Sequence, residues 1–115
     1  MILEVADIRI QPGRQVDFAQ AVVFGVTQVI AKAEGFRSWK LNHSIESPER
    51  FLLMICWDTL EDHTVAFRGG PLFAHWRAIV GPYFAAPPVV EHFNLLGRSG
   101  DTSESSAAST PADPA

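Results

Sequence analysis

The four histidines are the side chains of this sequence that titrate near neutral pH without perturbation, and two of them stand where they could transfer protons. His63 falls in the first turn of a predicted short helix, six residues after Trp57. The positive end of a helix disfavours imidazolium, so His63 is expected to be neutral and to act as a general base towards a phenol or an enol. The alternative is a surface histidine that pairs with Asp62 or Glu61.

His92 lies in the last predicted strand and is the second candidate. If it converges with His63, the two rings could share a proton or bind a ligand together; otherwise His92 is a core or interface residue. Glu91 points to the other face by strand alternation, so a third ligand is lacking and no metal site is predicted. His43, close to a turn, and His75, in the last helix, carry little functional weight.

An aromatic set surrounds the predicted helix pair. Trp57 is expected to line a pocket, where a flat wall would stack against a planar substrate. Phe67, Phe73 and Trp76 complete the set, and aromatic sets of this kind are most often core. Arg68 ends the short helix, where it could bind a carboxylate or enolate oxygen or simply interact with the negative helix end.

The composition indicates one globular domain. The 115 residues are 47% hydrophobic and 10% aromatic, and the formal charge of −4 comes without a basic run, so no nucleic-acid partner is expected. No apolar stretch is long enough to cross a membrane, and no signal-peptide pattern opens the chain. The one cysteine, Cys56, cannot form an internal disulfide, which favours a reducing compartment, the cytoplasm.

The order of the predicted elements is β-α-β-β-α-β, that of a ferredoxin-like α+β fold with a four-stranded antiparallel sheet. Strands are predicted over residues 2–10, 36–44, 51–57 and 89–96, and helices over 16–32, 60–67 and from Pro71 through Ile79. Thr59 is the expected N-cap of the short helix, with Asp62 at its third position. In the first strand, Glu4 is the exception on an otherwise apolar face.

The strand over residues 51–57 is apolar at every position, so both of its faces must be covered. The helices of a ferredoxin-like fold cover only one face of the sheet. A second copy of the chain, packed sheet against sheet, would cover the other, and we therefore predict a symmetric homodimer. The alternative is a monomer with an unusually apolar open face.

The folded domain is predicted to span residues 1–97. Residues 98–115 contain no Val, Ile, Leu, Met or aromatic side chain and consist mainly of Ser, Ala, Thr, Pro and acidic residues. Such a segment cannot bury enough apolar surface to offset the entropy of ordering, so a disordered tail is predicted.

Several segments resemble the antibiotic biosynthesis monooxygenase (ABM) domain family. They are the opening Glu4-Val5-Ala6 with Gln11-Pro12-Gly13, the block from Trp57 to Gly69, the stretch from Pro71 to Trp76, and the ending Val89-Val90-Glu91-His92-Phe93. The resemblance implies a dimeric α+β barrel with a ligand pocket in each subunit, between sheet and helices. Some members of this family are cofactor-free monooxygenases that oxidise aromatic polyketides such as anthrones with molecular oxygen, and others degrade haem or isomerise small molecules.

The resemblance carries over unevenly to single residues. Trp57 matches a strand Trp of the monooxygenase branch, but Leu53 stands four residues earlier, where that branch has an Asn proposed to orient the substrate. This departure weakens the assignment to anthrone oxidation. Ala6 stands where the haem-degrading branch needs an Asn, and Phe67 stands close to the place of its helical His, so haem degradation is disfavoured.

The predicted function is a monooxygenase that oxidises a small electron-rich aromatic of phenol, quinol or anthrone type with molecular oxygen, without flavin, haem or metal. The predicted catalytic residues are His63, Trp57 and His92, and the predicted substrate-binding residues are Phe67, Arg68, Leu53, Phe73 and Trp76. Two alternatives stay open. One is a non-oxidative isomerase or cyclase with the same base, and the other is a non-catalytic dimer that binds a small hydrophobic molecule.

Overall fold

The computed structural model describes residues 1–100, which form a four-stranded antiparallel sheet with helices packed against one face. The strands are β1 (Ile2–Arg9), β2 (Phe36–His43), β3 (Arg50–Trp57) and β4 (Val89–Asn94), in the spatial order β2-β3-β1-β4. The predicted ferredoxin-like α+β fold is confirmed. Of the predicted tail, residues 101–115 lie outside the described residues.

Within residues 1–100, the helical layer consists of two α-helices and three shorter segments. They are α1 (Gln15–Gln28), a 3₁₀ turn (Ile30–Lys32), a π-helix (Asp62–Phe67), α2 (Pro71–Val80) and a second 3₁₀ turn (Gly81–Tyr83). Within residues 1–100, no helix is long and apolar enough to cross a membrane.

The core lies between the sheet and the helices and is built by alternation in the two central strands. Along β1 and β3 every second residue is buried, and the antiparallel register brings the buried residues of the two strands side by side. The pairs on this core face are Glu4–Ile55, Ala6–Leu53 and Ile8–Phe51. Glu4, which the sequence marks as an exception, therefore lies among apolar side chains and is only 7% exposed.

The opposite, outer face of the sheet is also apolar at its centre, and a single chain leaves it open. Leu52, Met54 and Cys56 of β3 are only partly buried, and Phe93 of β4 is 47% exposed. β3 is buried on its core face alone because the helices within residues 1–100 pack against that face of the sheet. The outer face is therefore the surface that the predicted second copy would have to cover.

The segment after β3 is capped as predicted, but it is a π-helix rather than the expected α-helix. Thr59 Oγ1 accepts the N–H of Asp62 at 3.1 Å, and Asp62 Oδ2 accepts the N–H of Thr59 at 3.2 Å. The N–H of Arg68 donates to the carbonyl oxygen of His63, five residues earlier, at 3.1 Å. The wider turn keeps His63 and Phe67, the two buried residues of the segment, on the side that faces the sheet. Turns of this type are frequent at functional sites.

The close approach of α1 and α2 depends on a glycine. A Cβ atom at Gly25 would lie 2.7 Å from Cζ3 of Trp76, which is closer than two such carbon atoms can come. Glycine at this position therefore allows the Trp76 ring to pack directly against α1. The contact fixes the ring at the border of the space between the helices and the sheet.

Candidate functional site

A cavity of about 330 Å³ lies between the core face of the sheet and the helices. This volume is at the lower end of the range of roughly 300–1,000 Å³ found for small-molecule sites. Ala6 and Leu53 form part of its sheet wall, and Phe67, Phe73 and Trp76 form part of its helical wall. The cavity is therefore mostly apolar, and its few polar side chains determine its chemistry.

Glu4 supplies a buried carboxyl group to the wall of this cavity. The indole Nε1–H of Trp57 donates to Glu4 Oε1 at 2.9 Å, and His63 Nε2 lies 3.4 Å from the same oxygen. Burial raises the pKa of Glu4 to about 7, although the Trp57 hydrogen bond and the positive charge of Arg68 act in the opposite direction. Near neutral pH, both the acid and the carboxylate forms of Glu4 are therefore populated.

His63 and His92 meet beside Glu4. His63 Nδ1 lies 2.8 Å from His92 Nε2, so one ring donates a proton and the other accepts it. His63 is 3% exposed, and burial, followed by the charges of Arg68 and His92, lowers its pKa to about 4. Burial, followed by the charge of Arg68, also lowers the pKa of His92, which lies on β4 opposite Glu4 and is partly exposed.

The structure changes the expected reason for a neutral His63. The sequence suggested the helix end as the cause, whereas the structure gives burial as the main cause. The alternative of a surface histidine paired with Asp62 or Glu61 is wrong, because His63 is buried and the Asp62 carboxylate caps the N–H of Thr59.

Trp57 lies behind the cavity wall and not in it, which corrects the expectation that it lines the pocket. Its side chain is fully buried, and its ring stacks on His63 at 5.3 Å between centroids and 22° between planes. As the last residue of β3, it faces the core and is covered by the π-helix that follows it. Its contacts are those of a residue that positions Glu4 and His63.

The predicted substrate-binding residues do lie around the cavity. Leu53, Phe67, Arg68, Phe73 and Trp76 all contribute to its wall. Arg68 is exposed at the end of the π-helix, and within residues 1–100 its guanidinium makes no hydrogen bond or ion pair at contact distance. A positive charge at this place could interact with an anionic group of a ligand.

Sequence reasoning missed two residues of the site, Glu4 and Arg77. Arg77 lines the cavity from α2, and its guanidinium lies 5.9 Å from the ring centre of Phe73. Nothing in the α2 sequence distinguishes Arg77 from an ordinary surface arginine. A signal did exist for Glu4, because a charged residue on an apolar strand face is buried only with a partner.

The other two histidines lie away from the cavity. His43 is exposed, stacks on Phe51 at 4.4 Å between ring centroids and donates to the carbonyl oxygen of Pro48. His75 is exposed on α2. Among residues 1–100, no group of three or more His, Cys, Asp or Glu side chains has an arrangement that could hold a metal ion.

These features place the chain among small α+β proteins that enclose a ligand-sized cavity between a ferredoxin-like sheet and its helices. The family model described as antibiotic biosynthesis monooxygenase (ABM) matches residues 1–79. The uncharacterized protein YczJ of Bacillus subtilis (strain 168) is 32% identical over 93 residues, which are 81% of this chain and 97% of YczJ. The chain therefore belongs to the antibiotic biosynthesis monooxygenase family.

Solved structures agree with this assignment. A candidate antibiotic biosynthesis monooxygenase from Bordetella bronchiseptica superposes with a TM-score of 0.78 at 39% identity, covering 83% of this chain and 96% of that one. The monooxygenase from the gene ActVA-Orf6 of Streptomyces coelicolor, solved with nanaomycin D, gives a TM-score of 0.71 at 20% identity, with coverages of 84% and 88%. At this lower identity the likeness concerns the fold alone.

The stability of Glu4→Gln relative to that of the wild type should increase as pH rises. A carboxyl group with a raised pKa contributes stability that is present below its unfolded pKa of 4.5 and is lost as pH rises through its folded pKa of about 7. Glu4→Gln removes this loss, which has an upper bound of about 3 kcal/mol. The lowered pKa of His63 acts in the opposite direction, but His63 is present in both proteins.

The measurement is urea unfolding of both proteins between pH 4 and pH 8. Glu46→Gln, at an exposed carboxyl group in the turn before β3, is the matched control and should show no such trend. A stability difference between Glu4→Gln and wild type that stays constant over this range would contradict the raised pKa of Glu4.

Proposed function

We propose that this protein is a monooxygenase that uses molecular oxygen to oxidise a small electron-rich aromatic compound of phenol, quinol or anthrone type. Membership of the antibiotic biosynthesis monooxygenase family supports the general class. The observation that carries the proposal is the contact between Glu4 and His63 at the wall of an apolar cavity. A proton acceptor in a site that excludes water is what activation of such a substrate requires.

The chemistry needs no cofactor if the substrate supplies all the electrons. Loss of a proton converts a phenol, quinol or anthrone into an electron-rich anion, which can transfer one electron to oxygen. In the oxidation of an anthrone, the CH₂ group becomes a C=O group, one oxygen atom enters the product, and the other leaves as water with both hydrogens. The protein's task is then to take the first proton, keep bulk water away and return a proton as water forms.

In this proposal each part of the site has a distinct task. The pair of Glu4 and His63 takes the proton, and Arg68 attracts the substrate anion. The apolar wall that includes Leu53 holds the planar ring, together with the aromatic residues Phe67, Phe73 and Trp76. Trp57 does not line the cavity, and its proposed role is to hold Glu4 and His63 in place. His92 does not line the cavity either, and it contacts the site through His63.

A second candidate function is an isomerase or cyclase that uses the same proton acceptor without oxygen. The apolar Leu53 favours it, because this side chain lines the cavity and cannot orient a substrate through a hydrogen bond. Such an enzyme would move a proton within a small carbonyl compound. A dimer that binds a small hydrophobic molecule without turnover would need the cavity but not the carboxyl group of Glu4.

Oxygen consumption by the purified, metal-free protein tests the proposal, with a panel of anthrones and dihydroquinones as substrates. Uptake should scale with protein concentration and fall by about 100-fold or more in His63→Ala. His75→Ala, on the exposed side of α2, is the matched control and should keep the full rate. Full activity in His63→Ala would remove His63 from the mechanism, and no uptake across the panel would favour the isomerase.

The proposed functional unit is a symmetric homodimer formed through the outer face of the sheet. Light scattering should then give twice the single-chain mass of 12.6 kDa. Met54→Lys should give the single-chain mass, because it adds a charge at the centre of the apolar face next to Lys40. Ile45→Lys, at a residue 90% exposed outside the strands, should remain a dimer. A single-chain mass for the wild type at micromolar concentration would contradict the dimer.

A further inference from the structure

We propose that Glu4 is the group that exchanges a proton with the ligand, and that His63 and His92 form a path along which this proton moves between Glu4 and bulk water. Only the catalytic use of this path rests on the proposed function. The path itself is a property of three side chains in contact and exists whether or not the ligand is oxidised.

The path has one end in the cavity and the other near solvent. Glu4 and His63 both line the cavity, whereas His92 does not. His92 lies on β4, an edge strand of the sheet, and its side chain is partly exposed. Within residues 1–100, the second ring nitrogen of His92, Nδ1, has no hydrogen-bond partner.

The contact between the two histidines is short enough for proton transfer, and the contact between Glu4 and His63 is longer. His63 Nδ1 and His92 Nε2 are 2.8 Å apart, which is hydrogen-bond distance. His63 Nε2 lies 3.4 Å from Glu4 Oε1. Catalytic hydrogen bonds that are long in a ligand-free protein often tighten once a ligand is bound. Trp57 donates its N–H to the same oxygen of Glu4 and stacks on His63, which holds both groups in line.

A proton leaves the cavity in steps that balance. The ligand gives its proton to the Glu4 carboxylate, and the resulting acid donates it to Nε2 of His63. The proton on Nδ1 of His63 passes to Nε2 of His92, and the proton on Nδ1 of His92 passes to water. The return of a proton along the same atoms restores both rings. This return fits an oxidation in which the second oxygen atom leaves as water with no net release of protons.

Burial and the charges around the path favour the neutral form of both histidines, so neither ring retains an additional proton. Burial raises the pKa of Glu4 to about 7 and lowers the pKa of His63 to about 4. The charged groups that face Glu4 from the helices are Arg68 of the π-helix and Arg77 of α2, both of which line the cavity. His92 is the titratable group that faces it from β4. The positive charge of Arg68 disfavours imidazolium on both rings, which favours transfer of the proton onward from each of them.

The path can be tested in the ligand-free protein by ¹⁵N NMR of the histidine rings. In the wild type, the ring nitrogens of His63 and His92 should shift together at the pH where Glu4 titrates, near 7. In Glu4→Gln this common step should disappear. His43 and His75 serve as internal controls, and their ring signals should be the same in Glu4→Gln as in the wild type. Unchanged titration of His63 and His92 in Glu4→Gln would overturn the path.

The catalytic use of the path is tested with a substrate that supports turnover. His92→Ala should lower kcat by about tenfold or more in weak buffer, and added imidazole should restore most of the rate because it replaces the missing ring. His75→Ala should show neither effect. A loss in His92→Ala that imidazole does not restore would mean a structural role and would contradict the path. If no substrate is turned over, the proposed function fails, and the ligand-free titration still decides whether the path exists.

Discussion

The carboxyl group of Glu4 lies on the apolar face of the central strand β1, and the site is arranged around the cost of burying it there. An ionised carboxylate without partners in such a place would cost many kcal/mol, so the group must either be neutral or be surrounded by hydrogen-bond donors and positive charge. The structure uses both solutions. Burial raises the pKa of Glu4 to about 7, while the Trp57 N–H and the charge of Arg68 limit that rise.

β3 and the π-helix each contribute one contact to this carboxyl group, and β4 contributes a residue that contacts His63. β3 ends with Trp57, whose register against β1 brings the indole N–H to Glu4. The capped π-helix that follows brings His63, and β4 places His92 directly opposite Glu4. A buried carboxyl group with a pKa of about 7 contacts His63, which in turn contacts His92. This arrangement suits proton transfer better than structural support, because an apolar residue would fill the same space at no electrostatic cost.

Much of this architecture could be predicted from local patterns. The alternation in β1, the strand over residues 51–57 and the Thr59–Asp62 cap each depend on near neighbours in sequence, and the structure confirms them. The π-helix could not be predicted, because one additional residue in a turn leaves no clear trace in the spacing of apolar side chains. The alternation of apolar residues in β1 predicts the face on which Glu4 lies. The contacts of Glu4 come from β3 and from the π-helix, and they depend on the strand register, which the sequence of β1 does not show.

The most direct test of this account is the titration of the Glu4 carboxyl group itself, followed by ¹³C NMR in the ligand-free protein. We expect a pKa of about 7 for this group, well above the ordinary value of 4.5. This pKa should rise further in Trp57→Phe, which removes the indole donor that favours the carboxylate. A pKa near 4.5 in the wild type would contradict the account, because Glu4 would then be a permanent carboxylate that could not return a proton at neutral pH.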